Sequence, residues 1–425
     1  MISKEPDEVY NTVNKETIKK FIPQKLLLKR ALIMYRHRVK TVLKKRVIKP
    51  YKPSEFPKGI NLIGPFKAQI GLGQSCRLLA NAIKASDIDY TFQNFDLIGT
   101  VQNGDSTYDT EFSKETPYGI NIIHMEPTEL MLRCIEFDEN LWNERYNIAF
   151  WLWELEEFPK EWTPAIDLVD EIWTPSEFTS ESIRKVTDKP VITIPYNVTA
   201  ETDVKYDRKY FNLPEDKFLF LVMFDANSTM TRKNPFGAIE AFKKAFLPDD
   251  DTVGLVIKTN NAEEEKLKPV KNLLDGYKNV YFITDILEKK AVNSLIADVD
   301  VFVSLHRAEG FGLVMAEAML NGTVCIATNW SSNTEFMNNQ VACMVDYSFT
   351  TLEKDMSPYR KGAKWADADT DEAAEYMKKL HEDSEYREQL SKSAKSYIKE
   401  KLGMDRIKEM IESRIDNIIM KGTPD

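Results

Sequence analysis

Short apolar runs alternate with amphipathic runs along most of this chain. From Gly59 onward β-rich and helical runs follow one another in the order "GINLIG", "GQSCRLLANAIKAS", "NIIHM", "YNIAFWLW" and "EIWTPS". The alternation begins again at "KFLFLVMF" and continues through "PFGAIEAFKKAF", "VGLVIKT", "KKAVNSLIADV", "DVFVSL", "GLVMAEAML" and "TVCIAT". Strands that alternate with helices typically form parallel sheets. The pattern therefore predicts an α/β protein with two doubly wound, Rossmann-like domains.

Two polar stretches divide the chain into its predicted parts. The segment "KPYKPSEFPKG" leads into the first predicted strand, and "YNVTAETDVKYDRKYF" joins the two repeats of the pattern. Clusters of proline and glycine are typical of linkers. We therefore predict a basic helical arm with its linker at 1–58, a first domain at 59–204, a second domain at 205–395 and a C-terminal helix at 396–425. Packing of this last helix against the first domain is one alternative.

The N-terminal arm concentrates positive charge. Residues 19–52 contain thirteen Lys or Arg and no Asp or Glu, whereas the whole chain has a net charge of −10, so the other residues sum to −23. Such an acidic body is a poor partner for nucleic acid. From about 24 to 47, apolar residues recur every three or four positions, which predicts an amphipathic helix. This helix could pack on the body, pair with a second copy or lie on an anionic bilayer.

Cysteine and tryptophan positions bear on the compartment and on the core. The four cysteines have neither paired nor metal-ligand spacing, which favours free thiols in a reducing compartment. No run approaches the roughly 20 apolar residues of a membrane span, and the N-terminus lacks the apolar centre of a secretory signal. We therefore expect a cytoplasmic protein. Five of the seven tryptophans fall within 142–173, and we expect most of them in the core.

A carboxylate interrupts a predicted apolar helix. Glu317 lies within "FGLVMAEAML", and the loop "HRAEGFG" before this helix follows the buried strand "DVFVSL". Ligands of open α/β sheets bind at such loops, and glycines followed by a helix N-terminus can receive a phosphate. Glu317 lies roughly 9 Å along the helix from Phe311, about the span from a diphosphate to its ribose. The alternatives for Glu317 are ribose binding, a solvent-facing position or capping of a neighbouring loop.

Four segments of the sequence resemble one known family. "EGFGLVMAE" is similar to the signature of the retaining glycosyltransferases of family 4, in which seven residues separate two glutamates. "DEIWTPSEFTSESIRK" resembles the end of that family's first domain, "RKNPFGAIEAF" its donor-phosphate segment, and "VCIATNWSSNTEF" the strand and loop after the signature helix. The resemblance covers most of 59–400. It implies the GT-B architecture, in which an acceptor-side domain and a nucleotide-sugar domain face each other.

The resemblance also implies roles for individual residues. Glu309 would lie at the donor sugar, and Glu317 would bind the ribose hydroxyls. His124 in "IIHMEP" resembles the family's histidine at the donor sugar, so Glu309 and His124 are the predicted catalytic residues, with a structural role as the alternative for His124. The predicted donor-phosphate group comprises Arg232, Lys233, Lys258 and the backbone of Gly310, Phe311, Gly312 and Leu313. Cations at the diphosphate can stabilise the leaving group in place of a metal ion.

One departure from the family pattern concerns the phosphate site. Where many members place an arginine five residues before the phosphate lysine, this chain has Ser228. Arg232 or Lys258 could take the place of that arginine. In the first domain, Gly71 and Gly73 of "FKAQIGLGQSC" belong to a loop that faces the cleft in the family, although two glycines alone often mark a turn.

An Asp-x-Asp motif offers a competing metal site. Asp298 and Asp300 in "ADVDVF" match the metal-binding signature of a different glycosyltransferase fold. No glycine-rich stretch surrounds them, and Asp300 opens a predicted strand. We therefore assign no metal to them and expect a metal-independent enzyme.

Together these features predict a retaining glycosyltransferase that uses a nucleotide-diphosphate sugar and no further cofactor. The sequence does not distinguish UDP from GDP, and the acceptor could be a glycan, a lipid-linked molecule or a protein, in cell-surface glycan or polysaccharide assembly. The alternatives are a sugar-nucleotide epimerase of the same shape and a non-catalytic partner subunit. For the arm at 19–52 we favour an anionic membrane surface, which would make the protein peripheral on the inner face of the membrane, over a homo-oligomer or packing on the body.

Overall fold

The chain folds into the two α/β repeats that the sequence predicts. The computed structural model describes residues 24–45, 50–97, 103–134, 136–137, 139–226, 230–260, 263–356 and 358–422. Each repeat forms a six-stranded sheet in which all neighbouring strands are parallel. The predicted fold class, α/β with two Rossmann-like domains, is confirmed.

The first domain is built on strands β1 (Ile60–Gly64), β2 (Tyr90–Asn94), β3 (Ile120–Ile123), β4 (Tyr146–Phe150), β5 (Glu171–Thr174) and β6 (Val191–Thr193). Their order in the sheet is β2-β1-β3-β4-β5-β6. The helices up to the end of this domain are α1 (Gln24–Lys45), α2 (Gly71–Ala85), α3 (Pro127–Arg133), α4 (Glu139–Trp142) and α5 (Glu177–Arg184). Strands β1, β3 and β5 are buried along their whole length, as expected for strands of a parallel sheet that is covered on both faces.

The second domain is built on strands β7 (Phe218–Asp225), β8 (Val253–Asn260), β9 (Val280–Ile283), β10 (Val301–Ser304), β11 (Val324–Thr328) and β12 (Cys343–Val345). Their order is β12-β11-β10-β7-β8-β9. Its helices are α6 (Met230–Lys233), α7 (Pro235–Ala245), α8 (Glu264–Leu273), α9 (Lys289–Asp298) and α10 (Leu313–Asn321). An antiparallel hairpin of β13 (Tyr347–Thr351) and β14 (Lys364–Ala368) follows the sheet.

Three helices end the described chain: α11 (Thr370–Glu382), α12 (Ser384–Leu402) and α13 (Met404–Gly422). The last of them leaves the second domain and packs against α2 of the first domain. Arg414 of α13 donates from Nε to the fully buried Glu171 Oε1 of β5 at 2.8 Å. The C-terminal helix thus connects the end of the second domain to the first domain.

Both sheets reverse their strand order at one point. In the first sheet β2 lies on one side of β1 and β3 on the other, and in the second sheet β8 and β10 flank β7 in the same way. Open α/β sheets bind ligands outside the carboxyl ends of the strands at such points. Most of the predicted site residues follow β1, β3, β7 or β10. Gly71 and Gly73 come after β1, His124 after β3, Arg232 and Lys233 after β7, and Glu309 after β10.

The two domains touch each other at the loop that carries Glu309. Ser176 donates from Oγ to the carbonyl of Gly310 at 2.8 Å. Glu335 of the second domain accepts the backbone N–H groups of Glu177 and Phe178, at the start of α5, at 2.9 Å each. A carboxylate at a helix N-terminus is stabilised by the unpaired N–H groups there. The domains therefore meet through specific polar contacts.

The hairpin reaches across to the first domain. Tyr359 and Trp365 are buried and belong to one apolar cluster with Trp153 and other aromatic residues that follow β4. Arg360 donates from Nε to Glu161 Oε1 at 2.9 Å. The hairpin, which the sequence analysis did not predict, thus connects the two domains.

The basic arm docks on the first domain by one face. Val39 and Val42 of α1 are buried, where the helix packs on the turn Thr163–Leu168 and on α3. Arg38 donates to the carbonyl of Leu132 at 2.9 Å. This face of α1 therefore packs on the first domain, which was one of the three alternatives for the arm. Residues 19–23 and 46–49 of the arm lie outside the described residues.

The expectations for tryptophans and cysteines are met. All five tryptophans of 142–173 are at most 8% exposed, so they belong to the core. The four cysteines are buried, and none of them forms a disulfide bond. No helix within the described ranges is long and apolar enough to cross a membrane.

Candidate functional site

Two cations and a carboxylate meet at the reversal point of the second sheet. Lys233 donates from Nζ to Glu309 Oε1, and Arg232 Nη1 lies 3.2 Å from the same oxygen. Arg232 also donates to the carbonyl of Ala308 at 2.8 Å. Glu309 is only 6% exposed. The structure thus brings together three of the predicted residues, which we call the Glu309 cluster (Arg232, Lys233 and Glu309).

Local backbone contacts fix the position of this cluster. Asn234, directly after Lys233, has a left-handed backbone with φ of 51°. Its side chain accepts the N–H of Gly237 at 3.1 Å, which caps α7, and donates to the carbonyl of Leu305 at 2.9 Å. Asparagine tolerates this conformation and is a preferred N-cap. The residue therefore connects the end of α6 to the loop after β10.

The cations keep Glu309 ionised. Burial alone raises the pKa of its carboxyl, but the charges of Lys233 and Arg232 outweigh burial and lower the pKa to about 2. Burial lowers the pKa of Arg232, but the charges of Glu309 and Glu154 outweigh burial, so the pKa of Arg232 is raised. Near neutral pH the Glu309 cluster therefore carries two positive charges and one negative charge in fixed positions.

The loop between Glu309 and α10 ends in a glycine that begins the helix. Gly312 is the N-cap of α10 and has a φ of 97°, a conformation that favours glycine. Since glycine has no side chain to accept from the first-turn N–H groups, an anion can do so. Phe311 is buried against Tyr196 and Phe336, which anchors the loop.

Glu317 does not face solvent. The residue is 1% exposed, and its Oε1 lies 2.5 Å from Lys289 Nζ. The second oxygen, Oε2, is buried without a hydrogen-bond partner. Burial raises the pKa of the carboxyl, and Lys289 opposes this effect. The solvent-facing alternative is therefore wrong, and one oxygen remains for a donor from a ligand.

His124 is part of a buried chain of polar groups. Its Nε2 lies 2.6 Å from Ser75 Oγ, which lies 2.6 Å from the hydroxyl of Tyr196. The ring stacks on Phe150, with 4.8 Å between ring centroids. Burial lowers the pKa of His124 to about 3, so the imidazole is neutral. In the described part of the chain its contacts run toward Tyr196 and Phe311, and not to Glu309.

Lys258 lies apart from the Glu309 cluster. Its Nζ donates to Asn260 Oδ1 at 2.6 Å, and β7 separates its strand, β8, from β10. Burial lowers its pKa to about 8, and Asp285 and Asp225 oppose this. Ser228 falls outside the described residues, so the predicted substitution for the family's arginine stays a prediction.

The two glycines after β1 have different surroundings. A Cβ atom on Gly73 would lie 2.0 Å from the carbonyl oxygen of Ala68, whereas one on Gly71 would meet nothing within 4 Å. Arg77 holds the same turn by donating to the carbonyls of Phe66 and Ala68. Close backbone approach therefore requires glycine at 73 but not at 71.

We expect Gly73→Ala to lower the free energy of unfolding by about 3 kcal/mol, because the methyl group collides with backbone that Arg77 fixes. The matched control, Gly71→Ala, should change stability by less than about 1 kcal/mol, since the space there is open and alanine favours the helix. Urea denaturation of both variants measures the difference. Equal stabilities would contradict the close contact.

Sequence reasoning missed Glu154 and Tyr359, which face the Glu309 cluster from the first domain and the hairpin, and Glu126, whose carboxyl interacts with Glu154. The hydroxyl of Tyr359 donates to Glu154, and Arg232 Nε lies 3.4 Å from the same carboxylate oxygen. Desolvation, together with Glu154 and Glu129, raises the pKa of Glu126 to about 7, although the residue remains exposed. Glu126 and Glu154 follow the strands β3 and β4, and this position after predicted strands could have identified them in the sequence. Tyr359 gave no such signal.

The Asp-x-Asp motif has a structural role. Asp300 Oδ2 accepts Arg208 Nη2 at 3.0 Å and the N–H of Leu219 at 2.8 Å. The carbonyl of Asp298 accepts Arg208 Nε at 2.8 Å. These contacts connect the start of β10 to β7 and to the linker between the domains.

Comparisons with known proteins bear on the fold and on the sequence pattern of the second domain. Residues 203–397 match the family model of glycosyl transferases group 1. A comparison with curated proteins found no match. Among solved structures, the Anabaena protein HepE in complex with UDP-glucose has 13% identity and a TM-score of 0.61, covering 85% of this chain and 100% of that chain.

Two further structures share the fold. A glycosyltransferase from Rickettsia africae has 12% identity and a TM-score of 0.63, covering 86% of this chain and 99% of that one. Sucrose-phosphate synthase from Thermosynechococcus elongatus has 13% identity and a TM-score of 0.63, covering 86% and 100%. The fold of this chain is therefore GT-B, and its second domain carries the sequence pattern of glycosyl transferases group 1.

Proposed function

We propose that the chain is a glycosyltransferase that moves a sugar from a nucleoside diphosphate sugar to a hydroxyl group. The observation that carries this proposal is the Glu309 cluster at the reversal point of the second sheet. Breaking a sugar–phosphate bond leaves a nucleoside diphosphate, whose growing charge needs fixed positive groups. Arg232 and Lys233 are such groups, and we propose that they act without a metal ion.

The remaining donor contacts follow from the same loop and helix. The first-turn N–H groups of α10 would bind the diphosphate, and Glu317 would bind the ribose through its unpartnered oxygen. The UDP-glucose in the Anabaena structure supports a UDP sugar as the first donor to test, with GDP sugars as the comparison. Lys258 would act near the nucleotide from β8.

We further propose that transfer retains the configuration at the anomeric carbon, as in family 4. The bond from that carbon to the diphosphate breaks, the bond to the acceptor oxygen forms on the same face, and the acceptor's proton moves to the leaving phosphate. Glu309, held ionised by two cations, would hydrogen-bond the sugar and position it. His124 would support the donor side of the cleft through Ser75 and Tyr196.

A donor turnover assay tests this function. The protein is incubated with UDP and GDP hexoses in the absence of acceptor, and the products are separated and analysed by NMR. We expect slow release of free sugar, which first forms with the configuration of the donor. Formation of an epimeric nucleotide sugar would instead identify the epimerase alternative. Donor binding without any turnover, even with glycan and lipid-linked acceptors present, would favour the non-catalytic partner.

The outward face of α1 bears on the location of the acceptor. Ile33 and Met34 are 61% and 45% exposed, and the exposed cations Lys29, Arg36 and Lys40 lie around Ile33 at helical spacing. Each Lys or Arg near an anionic bilayer contributes about 1 kcal/mol. We propose that this face rests on the cytoplasmic leaflet, where lipid-linked acceptors for cell-surface glycans would be found.

Reversing the charge at Lys29, Arg36 and Lys40 to Glu should abolish sedimentation with anionic liposomes, while the wild type sediments at low salt and less at high salt. The matched control reverses Lys392, Lys395 and Lys399, which are also exposed and lie on one face of α12. Because Val39 and Val42 are untouched, α1 should stay docked. If the control loses binding as well, or if the wild type never binds, the membrane proposal is wrong. A change in molecular mass alone would favour a second copy as the partner.

A further inference from the structure

A surface lysine reaches the buried carboxylate of α10. Lys289 is the first residue of α9, and its side chain is 40% exposed, whereas that of Glu317 is 1% exposed. Their Nζ and Oε1 atoms are 2.5 Å apart. The two helices pack against each other along this contact. Glu317 thus has a charged partner that reaches it from the protein surface.

The environment of Glu317 is otherwise unfavourable for a charge. Its neighbours in α10, Met315, Ala316, Ala318 and Met319, are at most 2% exposed. A carboxylate in such surroundings is expensive unless its oxygens receive hydrogen bonds. Lys289 supplies one oxygen, and Oε2 has no partner. A half-satisfied buried carboxylate is destabilising for the free protein, so its presence points to a ligand that donates to Oε2.

We infer that Lys289 is a positioning residue for the donor, because it holds Glu317 ionised and oriented so that Oε2 accepts hydrogen bonds from the ribose hydroxyls. The inference rests on the proposed function and assigns a role to a residue outside the family motif. Lys289 itself need not touch the nucleotide. Charge-assisted hydrogen bonds are stronger than neutral ones, so an ionised Glu317 binds a ribose diol better than a protonated one.

The ionisation of Glu317 depends on this one pair. The helix α10 packs against α9, α12, β10 and β11, and among their described residues Lys289 is the charged group that acts on the Glu317 carboxyl. Burial raises the pKa of Glu317 and Lys289 lowers it. Without Lys289 the pKa must rise further, and protonation of Glu317 must begin at a higher pH.

The next residue provides a matched control. Lys290 is also exposed on α9, but it pairs with the exposed Glu201 at 3.1 Å and not with a buried group. Replacing either lysine by methionine removes one positive charge from the same turn of the same helix. Any general effect of charge on nucleotide binding is therefore the same in both variants.

The experiment measures dissociation constants of UDP, GDP and their 2′-deoxy forms by calorimetry for wild type, Lys289→Met and Lys290→Met. We expect Lys289→Met to weaken binding of the preferred ribonucleotide about tenfold, and the 2′-deoxy form much less. Lys290→Met should match the wild type. The affinity of Lys289→Met should rise with pH over a higher pH range than that of the wild type, because without Lys289 the Glu317 carboxyl ionises at a higher pH. Lys289→Arg should restore binding.

Other outcomes overturn the inference in distinguishable ways. Equal affinities for Lys289→Met and Lys290→Met would show that Lys289 does not position Glu317. Equal losses for ribose and deoxyribose nucleotides would indicate a merely structural role. If the wild type binds nucleotides and turns over a donor, either result leaves the proposed function standing. If the wild type binds no nucleotide, the proposed function and this inference both fail.

Discussion

Replacing Lys233 by alanine is expected to slow sugar transfer at least about 100-fold and to weaken binding of the nucleoside diphosphate. Lys233 donates from Nζ to Glu309, next to the proposed position of the leaving diphosphate. Removing one fixed donor from a developing anion typically has an effect of this size. Initial rates and calorimetric dissociation constants measure the two effects. Chelators should leave the wild-type rate unchanged.

The control for this variant is Lys244→Ala. Lys244 lies on α7 at the surface, where it pairs with Glu240 and Asp371, so its loss should not change the rate. Full activity of Lys233→Ala would remove Lys233 from the donor site. A wild type that loses activity with a chelator and regains it with a divalent cation would contradict the metal-independent reaction.

Glu309→Gln is expected to lower turnover by about 100-fold while nucleoside diphosphate binding is retained or becomes tighter. The substitution keeps the shape of the side chain but removes the negative charge that Arg232 and Lys233 share, which leaves more positive charge for the diphosphate. At the same time, the charged acceptor for the sugar hydroxyls is lost. A loss of kcat with an unchanged or lower Kd for the diphosphate is the result that checks this role.

The pH dependence gives a second test of Glu309. Its pKa is lowered to about 2, so the ionised form stabilises the fold above the ordinary carboxyl pKa, and this stability is lost only as the pH falls toward 2. Between pH 5 and 9 Glu309 should therefore not titrate. Suppose that wild-type activity instead fell with a midpoint near pH 5, and that Glu309→Gln abolished this decrease. The low pKa of the Glu309 carboxyl would then be contradicted.

The two sheets and their reversal points could be predicted because their signals are local. Strands such as "GINLIG" and "DVFVSL" are short apolar runs bounded by glycine or polar residues, a pattern typical of buried parallel strands. The approach of Lys233 to Glu309 could be expected as well, because both follow central strands whose carboxyl ends share one edge of the sheet.

The hairpin and the docking of α1 could not be predicted in this way. Strand β13 has four exposed positions out of five, so it lacks the alternation that marks a half-buried strand. The apolar face of α1 was visible in the sequence, but nothing in its pattern states which surface covers it. Tyr359 comes to Glu154 only because the hairpin folds back over the first domain.

Lys289 and His124 show how burial decides a role. Two adjacent lysines at the start of a helix are typical of a solvated surface, and only the geometry separates Lys289, paired with buried Glu317, from Lys290. His124 is fully buried between Ser75 and Phe150 in the described chain, and its place at the donor sugar stays a prediction. Polar residues that break local rules in this way are expected at functional sites.

A crystal structure of the protein with UDP or GDP, whichever binds more tightly, would locate the donor directly. In the expected arrangement the diphosphate lies within hydrogen-bond distance of Lys233 Nζ and of the first-turn N–H groups of α10. The ribose hydroxyls donate to Glu317 Oε2 in the same arrangement. A nucleotide bound at the first sheet, or one whose ribose lies away from Glu317 and whose phosphates avoid Arg232 and Lys233, would contradict it.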